Sequence, residues 1–233
     1  MAISLASASV LLFDVDGTIA ETERDGHLTA FNRAFVEFGI PWRWTNEVYG
    51  LLLKVTGGFE RMRAYAQQMQ GQAVSVDWDE ALFRQVHQRK NACYAELLKT
   101  GGIRPRSGFI DLVQQAVAQG QQWGVVTTTS QGNWSALWQY AIQSITPLAA
   151  PCVVVCGEDV SRKKPDPEAY ALALKRIGEP ASACIAIEDS RNGLVAATAA
   201  GIPTVIVRSE YFRGDDFSGA ARVVDELTDL LSR

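Results

Sequence analysis

At 233 residues the chain exceeds one typical domain, which allows a large buried core with a smaller module set into it. Its 22 basic and 26 acidic residues leave a formal charge of −4, which excludes the broad positive field that nucleic-acid binders rely on. No apolar run approaches the roughly 20 residues that span a bilayer, and the four scattered cysteines and two isolated histidines, His27 and His87, offer neither a CxxC pair nor a zinc set.

Residues 1–9 lack the positive start and long apolar stretch of a secretion signal, so a cytoplasmic protein with reduced thiols is expected. A short apolar run at 10–13 reads as the first strand. Residues 21–99 then read as helices only, at 25–37, 59–69 and 79–98. A sheet crossover does not need that much chain. Beyond it, apolar runs at 123–126, 152–155, 184–187 and 203–207, with a weaker one at 222–224, alternate with helical patterns at 108–118, 133–141, 167–177, 193–200 and 226–231. The alternation predicts an α/β fold, a Rossmann-like doubly wound parallel sheet. Residues 1–20 and 101–233 form its core, and residues 21–100 form an inserted α-helical cap domain. Gly101 and Gly102, ahead of Pro105, suit a hinge at the second joint.

Asp14-Val15-Asp16-Gly17-Thr18 follows the first strand directly, at the carboxyl edge where open α/β sheets bind ligands. Residues two apart in extended chain face one side, so Asp14 and Asp16 can address one substrate. An Asx-rich turn would have the same composition. A second acidic pair, Glu188-Asp189, ends the strand at 184–187, and converging carboxylates need a cation among them, with hard oxygen donors pointing to Mg²⁺. Asp189 or Ser190 as a helix cap is the plainer role. Thr127, Thr128, Thr129 and Ser130 put hydroxyls at another strand end, and Lys164 stands before a helix that Pro167 opens. Each feature alone fits a turn, a cap or a surface charge. Together they fall beside strand ends in an order consistent with one crevice.

These four motifs resemble those of the haloacid dehalogenase-like hydrolase superfamily, and the resemblance spans essentially the whole chain. It implies that Asp14 is a nucleophile that forms an aspartyl-phosphate. Asp16 would protonate the leaving alcohol and then activate water, while Thr128 and Lys164 hold the phosphoryl group. Mg²⁺ would be held by Asp14, the backbone carbonyl of Asp16 and Asp189, with Glu188 as a further acidic group. The helical insert resembles the small-capped, β-phosphoglucomutase-like group. The stretches 20–27, 53–58 and 127–130 look like CbbY-type phosphatases, a group associated with Rubisco that removes the 1-phosphate of xylulose 1,5-bisphosphate.

A small-molecule sugar phosphate or bisphosphate is therefore the expected ligand, with no nucleic-acid or membrane partner and a monomeric state. The cap offers Lys54, Arg61, Arg63, Arg89 and Lys90 to a distal phosphate, of which Lys54, beside Gly57 and Gly58, is preferred and Lys90 second. Glu21 is the expected acceptor for sugar hydroxyls, and Thr129 and Ser130 complete the binding set. Trp42, Trp44 and Tyr49 fit the core of a small cap better than the mouth of a site. A sugar phosphomutase shares every motif and is the alternative. A phospho-Asp signalling module is disfavoured, because it would place the acidic pair on its first strand.

Overall fold

The computed structural model describes residues 4–231, so the first three residues of the expected N-terminal segment and the last two of the expected core lie outside the described residues. β1, Val10–Phe13, is apolar at every position because both faces of the sheet are covered. Leu11 and Phe13 point into an apolar cluster with Phe109, Leu112 and Trp123, whereas Val10 and Leu12 join Tyr170, Ala173 and Ala197 on the other face. Such alternation is the period-two geometry of a strand.

Six strands, all parallel, form one sheet in the order β3-β2-β1-β4-β5-β6. The others are β2 (Gln122–Val126), β3 (Val154–Val155), β4 (Cys184–Glu188), β5 (Thr204–Val207) and β6 (Arg222–Val224). Phe13 lies in register with Val125 on β2 and Ile187 on β4, so the residues that follow all three emerge at one edge. This is the doubly wound, Rossmann-like fold expected from the sequence. The third strand is shorter than 152–155, because Cys152 pairs with Trp123 ahead of the strand proper. The last predicted helix is a short 3₁₀ turn, Leu227–Leu230, held by a capping box of Glu226 and Asp229.

Between β1 and residue 100 the chain forms a π-helical turn, Glu23–Leu28, and four α-helices: α1 (Thr29–Glu37), α2 (Asn46–Leu52), α3 (Gly58–Gln68) and α4 (Glu80–Lys99). α2 has no counterpart among the predicted helices, since Gly50 in its middle weakens the helical signal. Thr45 starts it by accepting a bond from the Val48 amide at 3.3 Å. Trp42, Trp44 and Tyr49 are buried among Phe31, Phe35 and Phe83, as their place in a small core required. Trp44 packs edge-on against Phe35 at 4.9 Å and Trp42 stacks on Phe83 at 5.3 Å. Each such pair adds about 0.5–1.5 kcal/mol beyond its buried area.

α5 (Phe109–Ala118) and α6 (Gln131–Leu137) pack on the first face of the sheet, and α7 (Glu168–Ile177) and α8 (Arg191–Ala199) on the second. The two strands of chain that join the helical block to the sheet run side by side. Ala20 bridges Pro105, and the Arg106 amide donates to Ile19 at 2.7 Å. The buried Arg106 guanidinium then donates to the carbonyls of Gly17 (2.6 Å), Arg208 (2.9 Å) and Asp225 (3.1 Å), tying both joints to the sheet edge. Among the described residues no helix is long and apolar enough to cross a membrane.

Candidate active site

Asp14 leaves β1 at the carboxyl edge, its amide still bonded to the Ile187 carbonyl at 3.0 Å. Gly17 then turns the chain at φ +88°, a conformation that costs an L side chain about 1–2 kcal/mol. A Cβ there would sit 2.0 Å from Asp189 Oδ2. A Gly17→Ala variant is therefore expected to lose about 1–3 kcal/mol of stability, read as a lower urea midpoint with an unchanged slope.

Lys164 is the cation of the site. It is 4% exposed and donates to Asp14 Oδ1 at 2.7 Å, to Glu188 Oε1 at 2.5 Å and to the Val126 carbonyl at 2.7 Å. Its neighbouring carboxylates hold it well above the ordinary lysine range, against the opposing pull of burial. Tyr170 gives Glu188 a second donor at 2.6 Å. Burial pushes the Asp14 carboxyl up to about 8, with Lys164 opposing and Glu188 adding to the rise. Asp189 is also raised well above the carboxylate range, by burial and then by Asp14 and Glu188. Three buried acids stand around one lysine, which contacts two of them.

That charge balance fits a cation. Asp14, Glu188 and Asp189 each bring a carboxylate oxygen within 4.8 Å of the others. Glu188 Oε2 and Asp189 Oδ2 are buried and have no protein partner. Orphaned carboxylate oxygens are costly unless a ligand takes them. Hard oxygen donors of this kind suit Mg²⁺.

Asp16 has a different environment. Burial favours its neutral form, but His27 beside it and the Thr22 hydroxyl outweigh this and hold its carboxyl at about 2. His27 Nε2 lies 3.0 Å from Asp16 Oδ1, and its Nδ1 lies 2.9 Å from Lys90 Nζ. The imidazole stacks on Tyr94 at 4.2 Å. Burial draws Lys90 down to about 8, although Glu23 and Asp16 favour its charged form. Two carboxylates two residues apart thus have very different proton affinities, Asp14 favouring its neutral form and Asp16 its ionised one, so Asp14 needs a cation beside it before it can act as a nucleophile.

Two cavities meet at Asp16. The smaller, about 460 Å³, takes in Asp14, Thr128, Lys164 and Asp189, with Lys54 from the helical block. The larger, about 800 Å³, takes in Lys90, Thr129, Ser130 and Gly58. Glu23, Gly57, Arg61 and Thr128 line both. Glu21 lines neither; its carboxylate lies 3.4 Å from Arg106, where burial raises its pKa. Ser130 caps α6 through the Asn133 amide at 3.2 Å, and Ser190 caps α8 through Gly193 at 3.1 Å. Arg89 turns away from both cavities to Glu37 and Glu96. Arg63 pairs with Glu80 at 2.7 Å, on the wall of the larger one.

Three residues at the centre of this arrangement were not selected from the sequence as site residues. In the sequence His27 reads as isolated, Glu23 carries no motif of its own, and Arg61 is one of five basic residues offered by the helical stretch. Arg61 is 7% exposed and donates to the Tyr49 hydroxyl at 2.8 Å, while Tyr49 donates to Glu23 at 2.5 Å. The available signal for Glu23 and His27 was their four-residue spacing at the start of the helical block, which puts them on one face.

A strand-end carboxylate, a lysine bridging two buried acids and an orphaned carboxylate cluster suit chemistry on a phosphate ester, and the comparisons give the class. The model of the haloacid dehalogenase-like hydrolases matches residues 11–207, and the chain belongs to that family, as a phosphatase. It is 40% identical over 219 residues to Protein CbbY of Rhodobacter capsulatus, covering 94% of this chain and 93% of that one. The crystal structure of CbbY from Rhodobacter sphaeroides in complex with phosphate superposes with a TM-score of 0.86 at 36% identity, covering 96% of each chain. A point-substituted form of that protein, in complex with xylulose 1,5-bisphosphate, gives 0.86 at 35% identity over 95% of this chain and 96% of that one.

Proposed function

We propose that this enzyme removes the 1-phosphate of xylulose 1,5-bisphosphate to leave xylulose 5-phosphate, through an aspartyl-phosphate on Asp14. The observation that carries the mechanism is the pairing of Asp14 with Lys164 at 2.7 Å in a cavity that Asp16 also lines. The similarity to the CbbY structure with xylulose 1,5-bisphosphate supports the substrate.

In the first step Asp14 Oδ attacks phosphorus in line, the bond to the sugar oxygen breaks, and the departing alkoxide takes a proton from Asp16. Asp16 is ionised in the free site, and an arriving phosphate dianion raises its proton affinity by like-charge repulsion, so that it takes up from solvent the proton that it then gives to the alkoxide. In the second step the Asp16 carboxylate accepts a proton from water, whose oxygen attacks phosphorus and displaces Asp14 as a carboxylate. Lys164 and the Thr128 hydroxyl hold the phosphoryl oxygens while charge moves between them. Mg²⁺ held by Asp14, the Asp16 carbonyl and Asp189, with Glu188 alongside, supplies charge neutralisation without which two anions do not approach. Residues 21–100 act as the cap. Arg61 and Lys54 are its proposed contacts for the second phosphate, and Glu23, replacing Glu21, accepts the sugar hydroxyls.

The test is phosphate release from xylulose 1,5-bisphosphate with Mg²⁺. Release that stops with EDTA and returns with Mg²⁺ is expected. Isomerised sugar phosphate formed from β-glucose 1-phosphate without net release would overturn the phosphatase assignment in favour of a mutase. The Lys90–His27–Asp16 chain adds a pH dependence. Lys90 is charged below about 8 and loses its proton as pH rises through that value, so kcat/KM is expected to fall above pH 8. A Lys90→Met variant should have lower activity and lack that alkaline limb. An unchanged limb would remove Lys90 from the chain.

A further inference from the structure

Residues 208–221, which join β5 to β6, leave the sheet at the edge where Asp14 and Asp189 stand. Ser209 is buried behind the Gly17 turn. The next residues reach across to the helical block. Arg24 donates to both carboxylate oxygens of Glu210, at 2.9 and 2.7 Å. The Tyr211 ring packs edge-to-face on Tyr49 at 5.9 Å and 71°, and its hydroxyl donates to Asn46 at 3.4 Å. The same ring lies on Gly50, where a Cβ would come 3.2 Å from Tyr211 Cδ1. Tyr211 and Phe212 pack against the apolar core of the helical block and also line the smaller cavity.

Tyr49 is fully buried, and its hydroxyl connects Glu23 to Arg61, two of the residues that line both cavities. A side chain from a loop of the sheet therefore packs on the tyrosine that bonds to both, while Arg61 also donates to the Leu52 carbonyl at 3.2 Å. We propose that Tyr211 is a specificity-determining positioning residue, which fixes Tyr49 and thereby sets Glu23 and Arg61 for the part of the substrate remote from the reacting phosphate. Substrate choice is then shared between the helical block and a loop of the sheet. The inference rests on the phosphatase assignment above. Contacts to the remote part of a substrate favour large substrates and do nothing for small ones.

The experiment measures kcat/KM for xylulose 1,5-bisphosphate and for p-nitrophenyl phosphate, which has no remote part. In Tyr211→Ala the ratio of the two values is expected to fall about tenfold, chiefly through KM for the bisphosphate. Tyr211→Phe keeps the ring and should retain most of the ratio. Gly50→Ala adds a carbon against that ring and should lower the ratio as well, but not when Tyr211 is already alanine. Parallel losses on both substrates would overturn the inference, as would a Gly50→Ala effect that is the same with and without the Tyr211 ring. If the unaltered protein releases phosphate from neither substrate, the phosphatase assignment falls and this inference with it.

Discussion

Asp14→Asn is expected to reduce phosphate release by about 10⁴-fold or more, a loss of about 5 kcal/mol of transition-state stabilisation at 1.36 kcal/mol per decade. The amide has nearly the shape of the carboxylate but cannot form the aspartyl-phosphate. The substitution should leave the fold intact and, without metal, make it more stable at alkaline pH. Asp14 titrates at about 8 in the folded protein against an ordinary 3.8. Between those values the folded state holds a proton that the unfolded state has released, so stability falls as pH rises through the window. Asparagine has no such penalty. Melting curves in EDTA should therefore show the variant above the unaltered protein at pH 8, with the gap closing towards pH 4. Retained activity would remove the nucleophile assignment, and a variant that melts lower at pH 8 would show that Asp14 is already neutralised by Lys164.

Lys164→Met should have the largest effect on stability. It leaves Asp14, Glu188 and Asp189 buried together without the cation that contacts two of them at 2.7 and 2.5 Å. Removing one partner of a buried ion pair costs about 3–5 kcal/mol, mostly from the uncompensated charge left behind. Activity is expected to vanish with it. A Glu188→Gln change in the same chain should return part of the lost stability, because it removes one of the stranded charges. Urea titration of the two single variants and the double variant measures this directly. Strictly additive losses would mean that Lys164 and Glu188 do not interact as their geometry requires.

The strand ends were legible because each carries a short apolar run followed at once by a polar group, and a parallel sheet places all such ends at one edge. Asp14, Thr128 and Asp189 converge for that reason, and Lys164 joins them from the segment ahead of α7. The helical block was legible as a block but not in its interior. The partnership of His27 with Lys90 depends on how the π-helical turn Glu23–Leu28 packs against α4, across 63 residues of sequence. Glu21, the acid expected to meet the substrate, lies beside Arg106, whereas Glu23, at the start of the π-helical turn Glu23–Leu28, lines both cavities. Nor does any local pattern indicate that Tyr211 belongs to the packing of Tyr49. A loop 162 positions further along the chain reaches it only through the fold.

The bridge between Ala20 and Pro105 makes the helical block a closed excursion. From the side of the sheet, everything between those residues is a single turn whose ends are already fastened, and the entropy of closing a loop grows only slowly with its length. Insertions, deletions or wholesale exchange within the block therefore need not move the strand ends that carry the chemistry. Such an arrangement lets ancestry treat recognition as replaceable and the reaction centre as inherited. The loop that carries Tyr211 is the place where that independence ends, and a transplanted block would have to be matched to it.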